Sequence, residues 1–220
     1  MKRLVLFALP LLAAAACSRS AGLRTGDLVF VGIPLDYDVE GDMSSAIAAS
    51  TGDEEMNLIH VAIAEVDGDD VWIIDATLRH GVDRHPLDTF LTDFTLKDGS
   101  LPELVVRRVS GVDATAAVAR AKTFCGQPYD LQFLPDNGAM YCSELVQESF
   151  LDAAGKPVFE SAPMNWQSAD GTIPAYWEWL FGLLGMAVPQ GAPGTNPQGE
   201  FSSSRLRAVP LPQSWWQERR

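Results

Sequence analysis

Basic residues are scarce in this 220-residue chain: 16 Lys and Arg stand against 29 Asp and Glu, a formal net charge of −13. A surface of that sign repels phosphate backbones, which argues against nucleic acid as a partner. Histidine and cysteine are thin as well, with three of each. The three His do not fall at metal-ligand spacing with the Cys, and no Gly-rich phosphate loop is present, so no cofactor is expected. No apolar run reaches the roughly 20 residues that span a bilayer, and no internal repeat is visible. What is there is a globular composition, 47% hydrophobic and 20% charged, enough for one compact domain with a sizeable core.

The first residues do not read as part of that domain. Lys2 and Arg3 precede a short apolar stretch from Leu4 to Leu12, and the small residues Ala13 to Ala16 lead to Cys17. This is the order of a secretory signal and its cleavage site. A Cys directly after small residues also resembles the lipobox of bacterial lipoproteins, although Ala14 stands where Leu is usual. That resemblance implies cleavage before Cys17 and lipidation of Cys17, and Ser18 resembles the outer-membrane sorting pattern. The expected location is therefore the periplasm, with the protein held to the outer membrane by its N-terminal lipid; plain secretion is the alternative. The chain divides into a signal peptide (1–16), a tether (17–25), one domain (26–212) and a C-terminal tail (213–220).

Within the domain, Asp27 to Ile33 reads as a strand ended by Pro34. Asp42 can N-cap a helix over Met43 to Ser50, with Gly52 just past its end. Leu58 to Val66, the turn Asp67-Gly68-Asp69-Asp70 and Val71 to Ala76 form the clearest hairpin. Its strands are apolar on both faces, as in the centre of a covered sheet. Gly81 to His85 reads as a short strand, Pro86 to Phe94 as a helical turn, and Leu104 to Val109 as a strand. Helices are expected over Asp113 to Phe124 and over Cys142 to Ala154, closed by Gly126 and Gly155. The last third reads as irregular and holds five of the six Trp.

Three residues stand out chemically. Cys142 sits at a predicted helix start, where free N–H groups and partial positive charge favour thiolate and can stabilise an oxyanion. A buried structural Cys is the plainer reading of the same position. His60 interrupts an apolar strand, as either a core His bonded to backbone or the base that a cysteine nucleophile requires. If Val66 pairs with Val71, Asp75 lies diagonally from His60 on one face, within side-chain reach. A carboxylate there can hold the imidazole in one tautomer; the alternative is a strand-end Asp satisfied by loop backbone. His80 and His85 fall in polar, loop-like surroundings and are read as solvated. If Cys17 is lipidated, Cys125 and Cys142 remain, and a disulfide between them would abolish the thiol chemistry; Cys142 is read as free.

The segments "GDLVF", "AIAASTG", "HVAIAEVDGDDVWIIDAT", "GVDRHPLDTFL", "GQPYDLQF", "YCSELVQESF" and "GTNPQGEFSSS" resemble the circularly permuted papain-like hydrolases of the YiiX, YaeF and YebB type, relatives of the NlpC cell-wall peptidases. The resemblance runs from about Gly26 to Leu211, and "HVAI" followed by "YCSELV" is its most specific part. It implies an α+β fold with a central antiparallel sheet packed against helices, including the Cys helix. It also implies a triad of Cys142, His60 and Asp75, where Glu is commoner at the third position. Tyr129 is matched to a Tyr upstream of the Cys, either an oxyanion-hole donor or a buried ring on the helix cap. The expected activity is hydrolysis of an amide or ester through an acyl-enzyme. The expected substrate is a lipid or lipid-linked amide, or else a peptidoglycan peptide. The alternative is a non-catalytic envelope lipoprotein that binds an acyl chain or a partner protein.

Overall fold

The computed structural model describes residues 22–37, 42–52 and 56–220. The expected signal peptide and the expected lipidation site Cys17 lie outside the described residues. In chain order, β1 (Asp27–Ile33), α1 (Met43–Thr51), β2 (Asn57–Asp67), β3 (Asp70–Thr77), β4 (Gly81–Pro86), α2 (Leu87–Asp93) and β5 (Glu103–Val109) precede α3 (Ala114–Thr123) and α4 (Cys142–Ser149). Then come β6 (Ala162–Pro163), α5 (Ala175–Leu183), β7 (Pro193–Gly194), α6 (Pro197–Phe201), β8 (Leu206–Val209) and α7 (Gln213–Gln217).

Six strands make one sheet in the order β4-β3-β2-β1-β5-β8, with every pairing antiparallel. β1 lies near its middle and is buried along its whole length, which is why its sequence is apolar without alternation. On one face Phe30, Val61 and Ile63 meet α3 and α4 through Val118, Leu145 and Phe150. On the other, Val31, Ala62 and Ile73 meet α2 and α7 through Phe90 and Trp216. Each such fully buried apolar side chain contributes roughly 1.5–3 kcal/mol. A third cluster, built on Trp166, Trp177 and Phe181, joins α1 and α5. This is the α+β architecture expected.

Local chemistry sets the element ends. Asp42 caps α1 by accepting from Ser44 N–H at 3.0 Å, and Asp113 caps α3 by accepting from Ala116 N–H at 3.0 Å. One boundary differs from expectation: the Cys helix ends at Ser149, five residues before Ala154. Phe150 turns extended and is wholly buried beside Phe159. Leu151 then bridges Pro157 across a tight turn in which Asp152 accepts from the N–H groups of Ala154 and Lys156. Gly155, at φ +76°, serves that turn rather than a helix end. The last third is also more regular than its sequence suggests. β8 extends the main sheet, and the segment read as a tail carries α7, whose Trp215 and Trp216 are buried.

Candidate active site

The β2–β3 hairpin has the register Val66 opposite Val71 and Ile63 opposite Ile74. One step further, Asp75 falls diagonally from His60. His60 Nε2 and Asp75 Oδ2 are 2.8 Å apart, and the two side chains are 7% and 1% exposed. With Nε2 donating to that carboxylate, Nδ1 is left as the second ring nitrogen. The β1–β2 register slips between Val31 and Gly32, so that His60 pairs Val31 while Leu58 pairs Gly32. Such a bulge re-aims the neighbouring side chain. The Phe94 ring lies 4.5 Å from the His60 ring and helps to exclude water.

Cys142 is the first residue of α4 and is buried. Tyr141, its N-cap, is extended and accepts from Thr195 N–H at 3.1 Å through its hydroxyl. The C-terminal third is thereby tied to the residue before the sulfur. Burial alone would lower the His60 pKa. The negative charge on Cys142 and the hydrogen bond to Asp75 outweigh it and push the imidazole up to about 10. The site therefore favours a protonated imidazole beside the Cys142 sulfur.

Tyr129 is brought to the helix start by a short bridge to Met140. Burial first, and then the Cys142 charge, push its phenol well above the usual range, so it keeps its proton. That O–H lies 3.9 Å from Met43 Sδ, a weak acceptor. The next residue, Asp130, accepts from Gln132 N–H and Leu134 N–H at 2.8 and 2.9 Å and from Asn137 Nδ2 at 2.9 Å. These bonds straddle Phe133, which is held at φ +53°, a strained backbone for a bulky residue. The constraint places the Phe133 ring within 5.2 Å of Tyr141 and 5.1 Å of Trp166.

Two clefts flank these groups. The one beside Cys142 is narrow, about 40 Å³, and is walled by Phe133, Met164, Trp166, Trp177 and Ile59. No Asp, Glu, Lys or Arg is among its lining residues. The one beside His60 is wider, about 280 Å³, and is lined by Asp42, Asp93 and Arg79 as well as Phe94. Ile47, Ile59 and Tyr129 form the wall between them.

The structure thus brings together His60, Asp75, Cys142 and Tyr129. Cys125 and Cys142 are both free thiols, Cys125 exposed and Cys142 buried. One expectation is overturned: His85 is not solvated but 6% exposed. It sits on a strand face rather than in a loop, because β4 runs on to Pro86 and pairs His85 with Ile73 of β3. Two residues were not singled out by sequence at all. Asp130 gave no signal beyond its place in "GQPYDLQF". Glu200 is 2% exposed, and neither carboxyl oxygen has a hydrogen-bond partner among the described residues. Burial, and then the Cys142 charge, push its pKa well above the usual carboxylate range. Nothing short of tertiary structure distinguishes it from a surface Glu on a short helix.

A strand-borne imidazole, its carboxylate and a later helix-borne thiol, in this chain order on this sheet, define a permuted papain-like fold and site. The chain belongs to the permuted papain-like amidase enzymes of the YaeF/YiiX type, the C92 family, which it matches over residues 22–210. It is 30% identical over 115 residues to the uncharacterized protein YiiX of Escherichia coli strain K12. That match covers 50% of this chain and spans 56% of the length of YiiX. In fold it resembles the crystal structure of the metalloprotein YiiX from Escherichia coli O157:H7, with a TM-score of 0.65 and 23% identity, covering 87% of this chain and 98% of that one. The family assignment carries the hydrolase class with it.

Proposed function

We propose that this protein is a cell-envelope cysteine hydrolase that cleaves the amide or ester of a lipid or lipid-linked molecule. The observation that carries the reading is the buried 2.8 Å contact between His60 and Asp75, with the imidazole pushed up to about 10 in the field of Cys142. In this reading the Cys142 thiolate attacks the carbonyl carbon and forms a tetrahedral oxyanion. The first N–H groups of α4 and the Tyr129 hydroxyl donate to that oxygen. The C–N or C–O bond then breaks, and the imidazolium gives its proton to the leaving group. Water attacks the thioester, His60 takes its proton, and the acid departs as the thiolate is regenerated. Asp75 keeps Nε2 occupied, so proton traffic runs through Nδ1.

The clefts support the substrate class. The groove at the sulfur, where the acyl portion would bind, is uncharged and walled by aromatic side chains. The cleft at His60, from which the leaving group takes its proton, carries two carboxylates and a guanidinium. An apolar acyl group joined to a polar or amino leaving group suits that division; a muropeptide, charged on both sides of its amide bonds, suits it less well. At about 40 Å³ the groove is far smaller than the roughly 300–1,000 Å³ of pockets for drug-sized ligands, so in this reading its walls part when substrate enters. Among the described residues no group of three or more His, Cys, Asp or Glu could hold a metal ion. The donor set therefore does not fit a metal, and no step is routed through one. A lipid anchor on Cys17 would place this site at the membrane that supplies such substrates.

The test has two arms. Replacing Cys142 by Ala should abolish covalent labelling by a thiol-directed acyl probe, and unchanged labelling would reject the nucleophile. The wild-type protein is then incubated with purified phospholipids, N-acyl lipids and muropeptides, with products read by mass spectrometry. Release of fatty acid is expected. Amino acids released from muropeptides with no lipid product would reassign the substrate to cell-wall peptide.

A further inference from the structure

Behind Asp75 lies a histidine that the proposed mechanism does not use. β4 pairs with β3 so that Asp83 faces Asp75 and His85 faces Ile73. His85 is therefore a diagonal neighbour of Asp75 on the same sheet face. Its side chain is 7% exposed and lies between two carboxylates, with Nε2 3.7 Å from Asp75 Oδ1 and Nδ1 3.8 Å from Asp83 Oδ2. Neither ring nitrogen has a hydrogen-bond partner among the described residues, and neither does Asp75 Oδ1. The other Asp75 oxygen is the one that holds His60. Three buried polar atoms are thus left unsatisfied in one place, and two of them face each other. Buried polar groups are costly unless paired.

We infer that His85 is a positioning residue for the triad: its Nε2–H donates to Asp75 Oδ1 and locks the carboxylate that orients His60. Bringing 3.7 Å to hydrogen-bond length takes less than about 1 Å of movement. With both oxygens engaged, the carboxyl cannot rotate about its side-chain bond, and Oδ2 stays aimed at the imidazole. The chain of contacts becomes Cys142, His60, Asp75, His85, and no proton leaves His85 during turnover. The titratable groups around the ring are Asp75 from β3, Asp83 from its own strand, and His80, whose ring is 5.8 Å away. His80 is itself held by Asp93 of α2 at 2.9 Å. The inference rests on the reading of Cys142 and His60 as nucleophile and base.

The test follows alkylation of Cys142 by iodoacetamide across about pH 5 to 10 in the full-length chain, by mass spectrometry of the peptide that carries Cys142. His85→Leu should slow the neutral-pH rate about tenfold, the effect of losing one hydrogen bond to a charged group, and should shift the pH profile. His85→Gln, which keeps an N–H donor, should recover most of the rate. A His85→Leu profile identical to wild type overturns the inference. Equal losses in the Leu and Gln variants overturn it too, because a donor then makes no difference. If His60→Ala leaves the Cys142 rate unchanged, the nucleophile–base reading fails and takes this inference with it. If His85→Leu does not fold, nitrogen NMR of the wild-type histidines decides: a protonated, hydrogen-bonded Nε2 on His85 is expected, and an unprotonated Nε2 overturns the assignment.

Discussion

The meander from β2 to β4 and the segment from Met164 to Trp216 serve one site by different physics. In the meander, His60, Asp75 and His85 lie within 26 positions of one another on consecutive antiparallel strands, and strand register alone sets which of them meet. In the later segment, Trp166, Trp177 and Phe181 come from a loop and a helix whose bounds follow no simple repeat. Their partners are distant: Trp177 Nε1 donates to Ala46 O at 3.3 Å and to Ser50 Oγ at 3.2 Å on α1. In the proposed mechanism the meander supplies the base and the carboxylate that orients it, α4 supplies the thiol, and the aromatic segment supplies the walls of the groove. Damage to the first should change rate without loss of fold, and damage to the second should change stability.

His60→Ala is the severest test of that division. It should lower Cys142-dependent turnover by about 10²–10⁴-fold, the usual worth of a general acid–base group, while far-UV circular dichroism stays native. The same variant tests the charge state. The folded pKa of His60, about 10, lies above its ordinary value of 6.5. Its contribution to stability is therefore full below about pH 6.5 and is lost as pH rises toward about 10. Chemical denaturation should show wild-type stability falling across that window, and His60→Ala should lack this component of the fall.

On the other side of the comparison, Trp177→Ala removes a 1%-exposed indole and its two hydrogen bonds. A loss of about 3–5 kcal/mol in unfolding free energy is expected, with a correspondingly lower Tm. A loss below about 1 kcal/mol would mean that the aromatic wall is a removable lining rather than part of the core. Asp42→Ala sharpens the boundary between the regions, because α1 carries Ile47 into the wall between the clefts. Loss of this N-cap should cost about 1 kcal/mol, measured by urea titration. Arg79→Ala should be the mildest. Its ion pair with Asp93 is solvent-exposed on the arginine side, and thermal melts should shift by the equivalent of less than about 1 kcal/mol.

Much of the meander could be read in advance because its information is local. An apolar run bounded by turn residues marks each strand, the Asp67–Asp70 turn sets the register, and the register sets the diagonal from His60 to Asp75. His85 escaped the same logic, although it lies ten residues beyond Asp75. The Asp, Arg and Pro around it look like loop chemistry, whereas burial comes from α2 and the neighbouring strand. The Cys helix was found at its start and misplaced at its end. A helix N-terminus has a local signature, but its stop here is imposed by Phe150 turning into the core beside Phe159.

The sequence by itself determined the order of the elements as far as the Cys helix, the antiparallel hairpin and, through its turn, the diagonal from His60 to Asp75, because each depends on residues close together along the chain. Only the tertiary structure decided that Glu200 is buried with no hydrogen-bond partner among the described residues, that His85 stands behind Asp75, and that distant aromatic residues wall the uncharged groove beside the sulfur. Those facts are burial facts. Burial depends on which remote surfaces come together, and no local pattern along the chain encodes that.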